Sequence, residues 1–262
     1  MPIYLDHAAT SPMPPEVVSA YVSALSVIGN PSSIHSQGQN AKRMLEEARE
    51  QIAAYGYLPI DFRALGAATL SVSAHKIGGP VGVGALLIAR SATVVPLVHG
   101  GNQQRGRSGT QDVAGAVAFG FAAEQAVAGL AHTDSLAALR DRLIAGVRAA
   151  VPTAILRGDP ADRLAGNVHF TFPGCEGDSL LFLLDVAGFS VSTGSACQAG
   201  VPEASHVLLS MGLSEPDARG ALRMTLGHSS TAEEVDALVA ALPAAVSSAS
   251  RAGLAENSRF GG

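Results

Sequence analysis

The stretch SAHKIGG, residues 73–79, places a lysine between a short apolar run and a glycine-rich turn, residues 78–84. The apolar runs 69–73 and 83–89 have the length and the glycine and proline flanks of buried strands, so Lys76 is expected at a strand end. Desolvation makes an amine nucleophilic, and turn N–H groups bind anions, so the motif fits a carbonyl-reactive lysine beside a phosphate. A tight turn with a surface lysine is the alternative, and the spacing alone does not decide between them.

Composition limits the classes of partner. The chain has 262 residues, 47% of them hydrophobic, and a formal net charge of −5 at pH 7. This length fits one large domain or two modest ones. The negative charge and the lack of a basic block argue against nucleic acid or an anionic membrane as a partner. The N-terminus does not resemble a signal peptide and no run reaches about 18 apolar residues, so we expect a cytoplasmic protein.

Two cysteines, Cys175 and Cys197, are too few for a disulfide framework and lack a metal-binding spacing. The histidines form no ligand pair, so no metal site is expected. Cys197 lies in a loop of small residues after the predicted strand 189–193, where an accessible thiol is a candidate nucleophile. An inert, half-buried thiol is the alternative, and it describes Cys175 better.

Hydrophobic periodicity separates a mainly helical first part from a mixed second part. Helical spacing is found at residues 37–54, 112–130 and 134–150. From residue 153 onward the pattern is typical of a smaller α+β unit, with strands at 154–157, 167–172, 189–193 and 221–226 and helices at 204–211 and 231–242. The last helix is expected to begin at a capping box of Ser230 and Glu233.

Arg223 lies on the apolar predicted strand 221–226, where an unpaired guanidinium would be costly. It therefore needs an anion. A substrate carboxylate would serve, and so would a structural Asp or Glu. A second polar segment, the loop 104–110 with Arg107 and Thr110, has groups that can reach a phosphate; a solvated surface loop is the alternative.

Taken together, six segments resemble the cysteine desulfurases, class V aminotransferase-like members of the fold-type I enzymes that use pyridoxal 5′-phosphate (PLP). They are YLDHAAT (4–10), GNPSSIH (29–35), SAHKIGGP (73–80), RSGT (107–110), GSAC (194–197) and LRMTLG (222–227). They occur in family order and span nearly the whole chain.

The resemblance implies an α/β fold: a remnant of the fold-type I PLP-dependent transferase large domain plus a smaller α+β C-terminal domain. The truncated PLP-binding domain is expected at 16–130. The small domain, which carries the cysteine loop, is expected from 1–15 and 131–250, and a flexible tail from 251–262.

The resemblance also implies roles for single residues. Lys76 would bind PLP covalently, Ser73 and His75 would contact its phosphate, and Thr110 would reach the phosphate of a partner subunit. Arg223 would orient the carboxylate of L-cysteine. The Cys197 thiolate would take the sulfur as a persulfide and leave alanine. The implied partners are a second copy, forming a homodimer, and a sulfur-acceptor or scaffold protein for iron–sulfur cluster or thio-cofactor assembly.

A large block of the family pattern is missing between residue 53 and the strand before Lys76. In the family that block carries a phosphate loop, a histidine that stacks on the ring, an asparagine and an aspartate that pairs with the ring nitrogen. Counted back from Gly56, Glu50 lies near the position at which the family has this aspartate. It continues a helical charge pattern, however, so we expect an ordinary helix residue there.

The missing block has two further consequences. A sheet that lacks central strands is expected to leave edges and apolar faces uncovered. The alternative function is therefore a non-catalytic relative that acts as a dimerisation or scaffold-interaction module.

Overall fold

The computed structural model describes residues 2–53, 61–101, 103–104, 107–193 and 204–260, with the backbone alone at residue 53 and at 252–260. Two compact units are present: Thr10–Ala131 forms one, and Met1–Ala9 with His132–Gly262 forms the other. We call them the lysine unit and the arginine unit, after Lys76 and Arg223.

The described α-helices and strands are, in chain order, β1 (Ile3–Tyr4), α1 (Pro15–Leu25), α2 (Ser36–Ala53), β2 (Thr69–Ser73), β3 (Gly84–Ile88), α3 (Val113–Gly129), α4 (Thr133–Ala150), β4 (Ile155–Leu156), β5 (Asn167–Thr171), α5 (Gly177–Val186), β6 (Phe189–Ser190), α6 (His206–Ser210), α7 (Glu215–Arg219), β7 (Ala221–Thr225) and α8 (Ala232–Phe260). A short 3-10 turn, Ala74–Ile77, follows β2 and carries Lys76.

Helix α3 is the centre of the lysine unit. Its residues Ala118, Phe119 and Ala122 are fully buried, and α1 and α2 pack against it. Small side chains allow this approach: a Cβ on Gly120 would lie 3.0 Å from the Cα of Ala48 on α2. Within Val113–Ala150, an 18-residue window has a mean hydropathy of 1.5 and is, by length and composition, apolar enough to cross a membrane. The burial of α3 among the helices of its own unit accounts for that apolar character.

Strands β2 and β3 form an antiparallel pair on either side of the lysine turn. Val72 packs into the core of the unit together with Leu87. The opposite face is open, since Leu86 and Ile88 are 48% and 46% exposed. The prediction of buried strands is therefore wrong for that face, whereas the expectation of an uncovered apolar face is confirmed. A strand with a continuous apolar run is buried on both faces only where other secondary structure covers both faces of its sheet.

The arginine unit is an α+β arrangement. Strands β4, β5 and β7 form an antiparallel sheet in that order, and β1 pairs in parallel with β6. Alternation along the strands directs Val168, Phe170 and Met224 into a core with Leu143 of α4 and Leu238 of α8. The opposite face of the sheet is polar and carries Asn167, His169 and Thr171 on β5 with Arg223 and Thr225 on β7.

Helix α8 begins and ends at residues other than those expected. Its capping box consists of Thr231 and Glu234: the Glu234 N–H donates to Thr231 Oγ1 at 3.2 Å, and the Thr231 N–H donates to Glu234 Oε2 at 3.0 Å. The predicted box of Ser230 and Glu233 is therefore wrong by one residue. Ser230 Oγ instead accepts the Gly227 N–H at 3.0 Å.

The same helix continues past its predicted end at residue 242 to Phe260, with Pro243 inside it. Leu242, Ala245 and Ala249 remain buried on one face beyond that point, and this packing offsets the cost of an interior proline. The backbone of the expected flexible tail, 251–262, is thus helical as far as residue 260.

The position of the capping box predicts a difference between two adjacent acidic residues. Glu234→Ala removes a reciprocal hydrogen bond and should lower the free energy of unfolding by about 0.5–1 kcal/mol. Glu233→Ala loses the same favourable interaction with the helix dipole but leaves both hydrogen bonds of the capping box in place, so it serves as the matched control. Urea unfolding followed by circular dichroism measures both. An equal or larger loss in the Glu233 variant would contradict the assignment.

Candidate active site

Lys76 lies on a 3-10 turn that directs its side chain outward. Such a turn has three residues per turn, so Ala74 and Ile77 share one face, and these two are buried at 0% and 4% exposure. His75 and Ser73 are half-buried, and Lys76 is exposed. The structure therefore brings the three predicted residues together on one turn. It leaves Lys76 exposed, however, so the desolvation expected to make the amine nucleophilic is not present among the described residues, and the exposure agrees with the alternative of a tight turn with a surface lysine.

The glycines after Lys76 are required by packing. Gly78 has a φ of 81°, and a Cβ there would lie 2.8 Å from Pro14 Cδ and 3.0 Å from the Pro12 carbonyl oxygen. A Cβ on Gly79 would lie 2.7 Å from Ala74 Cβ. Left-handed backbone and close approach both favour glycine. The glycine-rich motif therefore fixes a tight, braced turn with the lysine on its outer side.

Hydrogen bonds hold this turn from two directions. The Ala74 N–H donates to the Val83 carbonyl oxygen at 3.0 Å, and the Ser11 N–H donates to the His75 carbonyl oxygen at 2.9 Å. Ser11 is itself buried. The backbone that carries Lys76 is thus positioned by both strands of the hairpin and by the segment before α1.

Thr110 lies in the lysine unit, two residues before the N-cap of α3, and is exposed. The cap is Asp112, whose Oδ1 accepts the Gly115 N–H at 2.8 Å. Arg107 is exposed as well. The role of Thr110 at the phosphate of a second copy remains a prediction.

Arg223 lies on the polar face of the sheet in the arginine unit. Its Nη2 donates to Asp6 Oδ1 at 3.1 Å, and each of the two side chains is 17% exposed. Of the two anions considered for Arg223, a structural aspartate is therefore present. A guanidinium has five N–H donors; within the described ranges, Arg223 Nε is buried without a partner. The pair leaves the guanidinium with donor capacity for a further acceptor.

His169 is directly opposite Arg223 in the pairing of β5 with β7. Burial, reinforced by the positive charges of Arg223, Arg157 and Arg163, lowers the pKa of His169 to about 4. The imidazole is therefore neutral at physiological pH. Its Nε2 is buried, with no hydrogen-bond partner among the residues that the structure describes.

The described residues include one of the two cysteines, Cys175. Cys175 is buried, its Sγ–H donates to the Val246 carbonyl oxygen at 3.7 Å, and burial raises its thiol pKa. This agrees with an inert structural thiol. Cys197 lies outside the described residues, so its role stays a prediction. The segment just before its loop is anchored, because Ser192 and Arg223 exchange backbone hydrogen bonds of 2.6 and 3.0 Å.

Sequence reasoning did not single out Asp6 or His169. The alternation of Asn167, His169 and Thr171 with buried apolar residues was available in the sequence as a sign of a polar sheet face. No local pattern indicated that Asp6 contacts Arg223 on that face, because the two residues are 217 positions apart along the chain.

The donor set around Lys76 fits covalent binding of an aldehyde cofactor that carries a phosphate. One turn presents an accessible amine together with a hydroxyl and an imidazole. An acidic partner for the ring nitrogen is not found in the described part of the lysine unit, because every carboxylate there is exposed: Glu16, Glu46, Glu47, Glu50, Asp61, Asp112 and Glu124. Glu50 is one of these exposed helix residues, as expected.

Comparison with known proteins agrees with this arrangement. The model of the family described as Aminotransferase class-V matches residues 3–58 and 53–238. The two matched segments meet where the sequence lacks its central block.

The relatives with high identity are cysteine desulfurases. An IscS-like cysteine desulfurase of Mycobacterium tuberculosis is 55% identical over 79% of this chain and 53% of its own length. The cysteine desulfurase NifS of Azotobacter vinelandii is 38% identical over 74% of this chain and 49% of its own length. The chain thus spans about half the length of these relatives.

A solved structure supports the fold. The NifS-like protein from Rickettsia africae superposes with a TM-score of 0.85 at 21% identity, covering 94% of this chain and 100% of that one. The resemblance drawn from the six sequence segments is confirmed, as is the α/β fold class. Because the family model matches most of the sequence, the chain belongs to the aminotransferase class-V family.

Proposed function

We propose that this chain is a PLP-dependent enzyme of cysteine desulfurase type, which converts L-cysteine to alanine and leaves a persulfide on Cys197. The observation that carries the proposal is the grouping of Lys76 with Ser73 and His75 on one braced turn at the end of β2, in a chain that matches the class-V family model. The chain has two lysines, Lys42 and Lys76, and only the second lies in such a setting. The cysteine desulfurase relatives support the same reaction.

Each residue has a role that follows from its chemistry. Arg223 would bind the substrate carboxylate through guanidinium donors that Asp6 does not use. Lys76 would hold the cofactor and then move protons at the substrate carbon. The Cys197 thiolate would bond to the substrate sulfur as the carbon–sulfur bond breaks. PLP, when bound, would supply the electron sink that this bond cleavage needs.

Every described carboxylate in the lysine unit is exposed, and this leads to an expectation for the rate of turnover. An acidic group at the ring nitrogen makes the cofactor a strong electron sink. Without one, we expect covalent attachment of PLP at Lys76 but turnover well below that of a full-length relative.

The proposal includes partners and location. They are a homodimer in which Thr110 reaches the phosphate site of the other copy, a sulfur-acceptor or scaffold protein for iron–sulfur cluster or thio-cofactor assembly, and a cytoplasmic location. The exposure of Arg107 and Thr110 leaves their loop accessible to a second copy. The relatives give no support to the alternative of a non-catalytic module.

The attachment site can be tested with the two lysines as a matched pair. After incubation with PLP and reduction with borohydride, peptide mass spectrometry should find the pyridoxyl group on Lys76. Lys42 is an exposed residue on α2 and is the control. Lys76→Arg should remove the modification and Lys42→Arg should not. Equal labelling of both lysines would refute a specific cofactor site.

The sulfur step can be tested with the two cysteines. When L-cysteine is supplied, Cys197→Ala should abolish persulfide formation and leave the labelling of Lys76 intact. Cys175→Ala should retain sulfur transfer because that thiol is buried in the core of the arginine unit. Mass spectrometry of the alkylated protein measures the persulfide. Transfer that persists in the Cys197 variant would contradict the role of this thiol.

A further inference from the structure

Asp6 is held against Arg223 by the backbone on both sides of it. The Leu5 N–H donates to the Ser190 carbonyl oxygen at 2.9 Å, and the Thr225 N–H donates to the Leu5 carbonyl oxygen at 2.7 Å. After Asp6, the Ala8 N–H donates to Thr225 Oγ1 at 2.9 Å. The aspartate therefore cannot move away from β7 without breaking hydrogen bonds on either side.

Alternation then determines where the Asp6 side chain points. Leu5 is fully buried in the core, and successive side chains of an extended segment face opposite ways. Asp6 is consequently on the polar face, within hydrogen-bond distance of Arg223. Its placement is a result of the strand geometry of the first residues of the chain.

Asp6 is also the anion that forms the ion pair of Arg223 among the described residues. The other polar neighbour across the sheet, His169, is neutral at physiological pH because burial and the adjacent arginines lower its pKa to about 4. The charge of Arg223 is thus opposed by one fixed carboxylate in a partly buried setting. An incoming carboxylate would therefore meet a guanidinium whose positive charge Asp6 already partly neutralises.

We propose that Asp6 is a positioning residue, which orients the Arg223 guanidinium through Nη2 and at the same time weakens its attraction for a ligand carboxylate. This inference rests on the proposed function of Arg223 as the carboxylate-binding residue. The fixed hydrogen bond reduces the rotamer freedom that Arg223 must lose on binding. The fixed negative charge keeps the affinity low, so that a carboxylate product leaves.

The two effects of Asp6 have opposite signs and can be separated by substitution. Asp6→Asn keeps an oxygen that accepts from Nη2 and removes the charge. Asp6→Ala removes both. The probe is propionate, which has a carboxylate but no amine or thiol, so its binding is independent of Lys76, PLP and Cys197. Propionamide has the same shape without the charge and reports on nonspecific changes.

The measurement is an NMR titration of the ¹⁵N-labelled full chain at constant ionic strength. Asp6→Asn should bind propionate roughly fivefold more tightly than the wild type, the upper end of what partly exposed ion pairs contribute. Asp6→Ala should also bind it more tightly, but by a smaller factor because Arg223 is no longer held. Propionamide affinity should stay the same in all three proteins.

Asp236→Asn is the matched control. It removes the same charge from the same unit, at an exposed ion pair between Asp236 on α8 and Arg142 on α4, and should leave propionate affinity unchanged. Equal tightening in this variant would mean that net charge alone is responsible and would overturn the proposal. So would an Asp6→Asn variant that binds no more tightly than the wild type, or a wild type that shows no carboxylate-specific binding. Should Asp6→Asn not fold, a folded Asp6→Ala variant without tighter binding is equally decisive.

A failure of this test is distinct from a failure of the proposed function. The borohydride and persulfide measurements report on Lys76 and Cys197, and they can succeed when Arg223 does not bind a carboxylate.

Discussion

One buried residue, Leu5, connects the two strand systems of the arginine unit. Its N–H donates to the Ser190 carbonyl oxygen on β6, and its carbonyl oxygen accepts from the Thr225 N–H on β7. Its side chain fills the core at 0% exposure. Because strand residues alternate, a buried Leu5 sets Asp6 on the polar face beside Arg223. The contacts of Leu5 and Asp6 thus supply core packing, the link between the two strand systems, and the ion pair of the candidate carboxylate site.

The lysine unit depends on a different constraint, the lack of space around the turn after β2. Gly78 and Gly79 are packed against Pro14 and Ala74, so neither position tolerates a side chain without movement. A braced turn of this kind positions a catalytic side chain more accurately than a mobile loop does. It also explains how a motif can be crowded with backbone atoms and still present Lys76 outward. The crowding and the accessible amine are on opposite sides of the turn.

Local sequence was sufficient for elements whose periodicity is strong and long. The helix predicted at 37–54 is α2, at Ser36–Ala53, and the strand predicted at 69–73 is β2. Helices α1 and α5 were not predicted. The apolar run of α5 is short, and over ten residues it does not distinguish a helix from a buried strand. Helix α1 begins at Pro15, and a proline in the first turn is compatible with a helix start.

The sequence by itself determined the family, the six motifs, and the residue types that can bind an aldehyde, a carboxylate and a sulfur atom. It did so because local patterns of charge, glycine and hydrophobicity carry those properties. Tertiary structure alone decided that Asp6 is the partner of Arg223 and that His169 is neutral beside it. These features depend on which distant segments meet, and no local pattern encodes that pairing.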